Sequence, residues 1–221
     1  MKSRLIPTLF IVSIVCSSAQ SQEINYRSPF ISANLGAFVS SLKDFDRVYD
    51  SNLGIAFGAG IGLPLSSRTY IYGKATYFVK TGVPVLYTYT YLNGTLVNVS
   101  QTKTDGTASF HQWIINGGLQ YNFFLSENFA LGLNGGLTYA KISETMTSVN
   151  TTVTSTLDAS GLLGFFAGLG LERSLSESPF SVFAEAQYNF VRHDILAAAG
   201  NYGGANLTLG LRYYFREHRR Q

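Results

Sequence analysis

Cysteine is almost absent: Cys16 is the single one in the 221 residues. It lies close to the start, so disulfides, thiol catalysis and cysteine-ligated metals are excluded for everything downstream. Long apolar runs are also missing. After Val15 no stretch reaches the ~18 residues that a membrane helix needs. Charge is sparse and shows no basic stripe of the kind that nucleic acid requires. Glycine, tyrosine and phenylalanine are plentiful (22, 14 and 16 residues). Aromatics favour strands, and glycine inside a strand allows bends and close backbone approach.

The first residues read as a secretory signal peptide. Lys2 and Arg4 precede an apolar run from Leu5 to Val15, and Cys16-Ser-Ser-Ala19 supplies small residues before a polar stretch. Cleavage is expected after Ala19, which leaves 20–221 as one domain. Lipidation at Cys16 is the alternative, and Val15 in front of it is not the small residue it needs. Removing 1–19 takes away two basic residues and no acidic ones. The 16 basic and 13 acidic residues become 14 and 13, a net charge of +1. Nothing remains to attract a nucleic-acid partner.

The clearest pattern is at the other end. From Ala205 the apolar residues take every second position: Ala205, Leu207, Leu209, Leu211, Tyr213 and Phe215. Asn206, Thr208, Gly210, Arg212 and Tyr214 fall between them. Period two is a strand with two environments. One aliphatic face ending in aromatics, backed by a polar face with a full charge, predicts lipid outside and a lumen filled by side chains inside.

Seven more segments alternate in the same way, at about 29–40, 53–65, 69–81, 109–123, 129–141, 159–172 and 180–192. In the third, Tyr70, Tyr72, Lys74, Thr76 and Lys80 are set inward, because a lysine in mid-bilayer costs ~2–4 kcal/mol. A chain that enters lipid without helices must close its sheet, since lipid satisfies no open edge. The fold class expected is therefore all-β: an eight-stranded antiparallel up-and-down transmembrane β-barrel. The connections alternate too. Those at 66–68, 125–128 and 173–179 are short, and those at 41–52, 82–108, 142–158 and 193–203 are long. Short inner turns and long outer loops are expected of such barrels, and an even strand count sets both termini in the periplasm. Within the second long loop, Asn93-Gly94 between β-rich runs predicts a hairpin. The Thr/Ser-rich stretch 143–156 reads as a small flap.

These residues resemble the small outer-membrane β-barrels of Gram-negative bacteria, the OmpA-like and OmpX-like eight-stranded group, broadly a porin family. The specific motif is the C-terminal assembly signal, polar-x-Gly-x-x-aromatic-x-aromatic, matched by Thr208, Gly210, Tyr213 and Phe215. The tail from Arg216 to Gln221 departs from family members that stop at the last aromatic. The resemblance implies an outer-membrane location, outer-membrane lipid and lipopolysaccharide as surroundings, and the barrel assembly machinery as a partner during insertion. It implies no single function: members are anchors, adhesins, narrow channels or lipid-modifying enzymes.

Three readings of function stay open. Glu185 and Arg212 face inward on the last two strands, with Asn34 at similar height on the first. Together they form a lumen network: an ion pair plugging the barrel, or part of a gated path. His111 with Ser109, and His193-Asp194, lie at the outer rim, where a lipid A-modifying enzyme would place a histidine; rim histidines at headgroup level are the alternative. Gly58-Ala-Gly60-Ile-Gly62 lacks the following helix that a phosphate-binding loop needs. The Asn-x-Ser/Thr matches at Asn93, Asn98, Asn150 and Asn206 read as chance. Tyr87, Tyr89 and Tyr91 suit a sugar-binding surface or simply a β-rich hairpin. No catalytic residue, metal or cofactor is expected. A soluble lipocalin-like barrel is the rival fold and would put the aliphatic row inside.

Overall fold

The computed structural model describes residues 28–215, except 44, 93–94, 149–153, 176–177 and 194–199. The expectations for the signal peptide, the Asn93-Gly94 turn, Asp194 and the tail after Phe215 lie outside the described residues.

The elements run β1 (Phe30–Ser40), α1 (Phe45–Tyr49), β2 (Leu53–Pro64), β3 (Thr69–Gly82), β4 (Val85–Leu92), β5 (Thr95–Lys103), β6 (Gly106–Ser126), β7 (Phe129–Ser148), β8 (Thr154–Ser174), β9 (Phe180–Phe190), β10 (Arg192–His193), β11 (Gly200–Asn201) and β12 (Gly204–Tyr214). Eight of the strands close a barrel in the order β1-β12-β9-β8-β7-β6-β3-β2. Each pair within the barrel is antiparallel. The first and last strands join from Phe30 opposite Tyr214 to Ser40 opposite Gly204. This is the expected fold, and the eight alternating segments are its eight walls.

The two faces are sharply different. Outward positions such as Leu35, Ile55, Ile61, Leu119, Leu137, Leu163, Leu207 and Leu209 are exposed. The residues between them are buried and largely polar: Asn116, Gln120, Gln187, Asn189, Asn206 and Thr208. Such a protein has its greasy surface outside and its charges inside, the inverse of a soluble barrel.

Three features differ from the sequence reading. First, β6, β7 and β8 are longer than the alternating segments that marked them. The described parts of the stretch read as a flap, 143–148 and 154–156, are strand, with Thr145 opposite Thr156; β-branched threonines suit strands as well as loops. Second, the first long connection folds into α1, whose Phe45 and Tyr49 turn back into the barrel. Third, the interior is layered rather than polar throughout. Towards the long loops Phe38, Phe45, Tyr49, Phe78, Phe110, Ile114, Ile142 and Leu162 form an apolar cluster. Near the short turns Phe30, Tyr70, Tyr72, Phe166 and Tyr214 form a second, aromatic one. An eight-stranded lumen is only wide enough for side chains, so α1 and these rings complete the filling. Glycine makes room for one of them: a Cβ at Gly62 would lie 2.1 Å from the Phe30 ring.

The hairpin expected in the second long loop is present as a separate two-stranded sheet, β4 with β5.

Candidate functional site: the charged layer of the lumen

Between the two apolar layers lie two ion pairs. Lys74, carried inward by β3, brings Nζ to 2.5 Å from Glu185 Oε1 on β9. The same carboxylate accepts from Asn134 Nδ2 at 3.0 Å and from the Tyr72 hydroxyl at 3.1 Å. Arg212 Nη1 lies 2.5 Å from Glu172 Oε2 on β8. Glu172 also accepts from the Ser181 hydroxyl at 2.5 Å and the Tyr214 hydroxyl at 2.6 Å. Arg212 Nη2 donates to Gln120 Oε1 at 3.3 Å. Its guanidinium sits 4.5 Å from the Phe30 ring centroid and 4.6 Å from that of Phe183, a cation held by two π-faces.

The bookkeeping of charge is balanced. Among the described residues the buried ionic side chains are Lys74, Glu172, Glu185 and Arg212, two of each sign. A buried charge without a partner is strongly unfavourable, and here every carboxylate has one cation and at least two neutral donors. Amides extend the network: Asn116 donates to Gln187, Thr138 to Asn116, and Gln120 to Asn122. A cavity of about 10 Å³ remains, lined by Gln120, Asn134, Glu172, Glu185 and Arg212 among others. That is the room of roughly one water.

Glu185 and Arg212 both stand in the interior, yet they do not pair with each other. The β9–β12 register sets Thr208 opposite Glu185 and Ser181 opposite Arg212. The two charges are thus two inward positions apart, and each binds a partner from another wall of the barrel. Lys74 was legible as inward, but its partner was not. Glu172 escaped notice, although it alternates with Leu169 and Leu171 on the inward side of its strand. Asn34 is buried opposite Gly58 and Gly210. Neither its Nδ2 nor its Oδ1 finds a hydrogen bond among the described residues, so it stands apart from both ion pairs.

The four motif residues of the last strand take distinct places. Thr208 Oγ1 lies 3.5 Å from Lys74 Nζ. Gly210 leaves space for the Phe183 ring, which would be 2.7 Å from an added Cβ. Tyr213 faces outward, packing on Phe180 and on Phe215 with ring centroids 5.2 Å apart in each case. At the opposite rim His111 Nδ1 and the Tyr77 hydroxyl share a 2.5 Å hydrogen bond, and Tyr77 packs on Trp113 at 4.7 Å.

No family model and no curated protein matches the sequence. Solved structures do match in fold. The outer membrane protein OprG from Pseudomonas aeruginosa superposes with a TM-score of 0.57 at 13% identity, over 86% of this chain and 96% of that one. The attachment invasion locus protein Ail of Yersinia pestis, solved with the heparin analogue sucrose octasulfate, gives 0.51 at 14% identity, over 85% and 99%. The chain has the closed eight-stranded barrel fold of these structures.

Proposed function

We propose that the protein is an integral outer-membrane barrel with a structural or interaction role at the cell envelope, its lumen closed by its own side chains. One observation carries this reading: a belt of exposed Leu, Ile, Phe and Tyr surrounds an interior in which all four buried ionic groups among the described residues are paired. In water that belt would be a large apolar patch, which marks a membrane or protein contact. In a bilayer it is the lipid-facing wall. The short turns and both chain ends then face the periplasm, and the long loops face outward. Outer-membrane lipid and lipopolysaccharide are the surroundings. Thr208, Gly210, Tyr213 and Phe215 serve insertion by the barrel assembly machinery. The outer-membrane proteins that share the fold support this location.

The lumen supports a closed and non-catalytic role. Side chains occupy three successive layers, and the space between the ion pairs has room for only about one water. At the rim, the hydrogen-bond partner of His111 is Tyr77 rather than a carboxylate. The test has two parts. Purified protein is expected to stay in membranes through salt and alkaline washes and to migrate faster on gels when unheated. In planar bilayers it is expected to show no stepwise conductance. Release by salt alone refutes the membrane location, and steady single-channel steps refute the closed lumen in favour of a small-solute pore.

A further inference from the structure

We infer that the outer rim of β2, β3, β6, β7 and β8 carries a binding site for the phosphorylated sugar headgroup of an outer-leaflet glycolipid, a conclusion that rests on the outer-membrane reading above. A single cross-strand row on the lipid-facing side builds it. Phe57 pairs with Tyr77, Tyr77 with Trp113, and Trp113 with Lys141. The rings touch in sequence, Phe57 to Tyr77 at 5.3 Å and Tyr77 to Trp113 at 4.7 Å. The Tyr77–His111 hydrogen bond fixes the middle ring.

Beyond Lys141 the ladder breaks. Ala140 pairs with Leu162, but Ile142 pairs with Ala159. Ser160 and Gly161 therefore stand opposite Lys141 alone, a β-bulge of two residues against one. Gly161 adopts φ +76°, and a Cβ there would meet nothing within 4 Å. The bulge thus opens a notch beside the lysine. A bulge also withdraws backbone N–H from the ladder, and loose N–H groups in such turns favour anions. Lys141 is exposed and forms no ion pair among the described residues.

Depth agrees with the chemistry. From Phe129 to Tyr139 the chain takes ten steps of about 3.3 Å on a strand tilted by about 40°, a climb of about 25 Å. That is the height of the apolar band, so Lys141, the next outward residue, emerges where headgroup phosphates lie. An ammonium group binds phosphate as a point charge. Three adjoining rings suit the face of a sugar, which a simple phospholipid lacks. Asp158, exposed and opposite Ser143, is the acidic residue next along this face.

The single tryptophan of the chain is Trp113, so its emission reports this site and no other. The folded full chain in neutral detergent is titrated with phosphorylated lipid A, with dephosphorylated lipid A, and with phosphatidic acid. A saturable change with phosphorylated lipid A is expected. Lys141→Gln is expected to weaken it about tenfold, the loss of one charge-assisted contact, and Asp158→Asn to tighten it. Lys43→Gln, on another loop, leaves it unchanged. An equal response to dephosphorylated lipid A, or an unaltered Lys141→Gln, overturns the proposal. Phosphatidic acid binding as tightly as lipid A overturns the glycolipid assignment. A chain that shows no heat-dependent gel shift and does not insert overturns the outer-membrane reading and this one with it; an inserted chain that fails the titration overturns this one alone.

Discussion

Removing one member of the Lys74–Glu185 pair strands the other in the middle of the barrel. Both side chains are only 1% exposed, so water cannot take over. In Lys74→Met the carboxylate keeps the Asn134 and Tyr72 donors but loses its cation. Breaking a buried pair from one side destabilises by ~3–5 kcal/mol. Two neutral donors remain, so about 3 kcal/mol is expected for Lys74→Met. Glu185→Gln takes away the countercharge of Lys74 and leaves it two neutral acceptors, the glutamine amide oxygen and Thr208 at 3.5 Å, and about 4 kcal/mol is expected on the same basis. The double variant removes both charges at similar volume. Replacing a whole buried pair by apolar or neutral groups is often close to neutral, so about 2 kcal/mol is expected for the double. The measurement is urea unfolding of the barrel in lipid vesicles, followed by the heat-shifted gel band. The coupling should be ~5 kcal/mol, far above the few tenths seen between independent sites. Single variants that add to the double within about 0.5 kcal/mol refute the idea that the two charges stabilise each other.

Three further outcomes follow from the layers on either side. Tyr49→Phe removes the 2.5 Å hydrogen bond to Glu144 and should loosen α1 by about 1–2 kcal/mol, read as faster hydrogen exchange over Phe45–Tyr49; unaltered exchange counts against the docking role. Burial first, and then the bond to Glu144, hold the Tyr49 hydroxyl well above its ordinary range. A pKa raised on folding stabilises fully below the unfolded value, about 10, and that contribution is lost as pH rises beyond it. Docking of α1 should therefore weaken only above about pH 10, and loss near neutrality would contradict this. Gly62→Val places atoms inside the Phe30 ring and should destabilise by ~1–3 kcal/mol, seen as a lower urea midpoint, whereas an unchanged midpoint would show that the ring has room to move.

Much of this barrel is visible in the sequence because its two faces meet opposite solvents. An outward slip of one residue would put Arg212 or Glu185 into lipid, so the period-two rows are strict and the eight walls can be counted. The ends of β7 and β8 are invisible in that way: at Thr145 and Thr156 the outer face leaves the apolar belt, so the outward aliphatic row stops even though Met146 and Ala159 still pack on the inner cluster. The helix α1 is five residues long, too short for a periodic signature. The ion pairs were missed for another reason. Inwardness is written locally in each strand, but which charge meets which depends on the stagger of strands around the ring, a quantity no single strand contains. Asn34 shows the limit of reading by height alone, since it is inward yet bonded to neither pair.

The seam between β1 and β12 joins residues almost the full described length apart, Phe30 with Tyr214. The Arg212 guanidinium is clasped there between a ring from the first strand and a ring from β9. Contacts so distant along the chain are slow to form, and the loop-closure entropy they require is met last. Until the final strand arrives, β1 presents an open edge that any other strand could seize. The polypeptide is thus committed to finishing its synthesis before it can become a ring. Because both ends of the seam emerge on one side, beginning and end are interchangeable in space though not in time. Fusing them through a short tether and cutting the chain at an outer loop would keep every wall in place while moving the terminal aromatic signature to the interior of the sequence. Such a rearranged chain would separate the geometry of closure from the insertion role proposed for Thr208, Gly210, Tyr213 and Phe215.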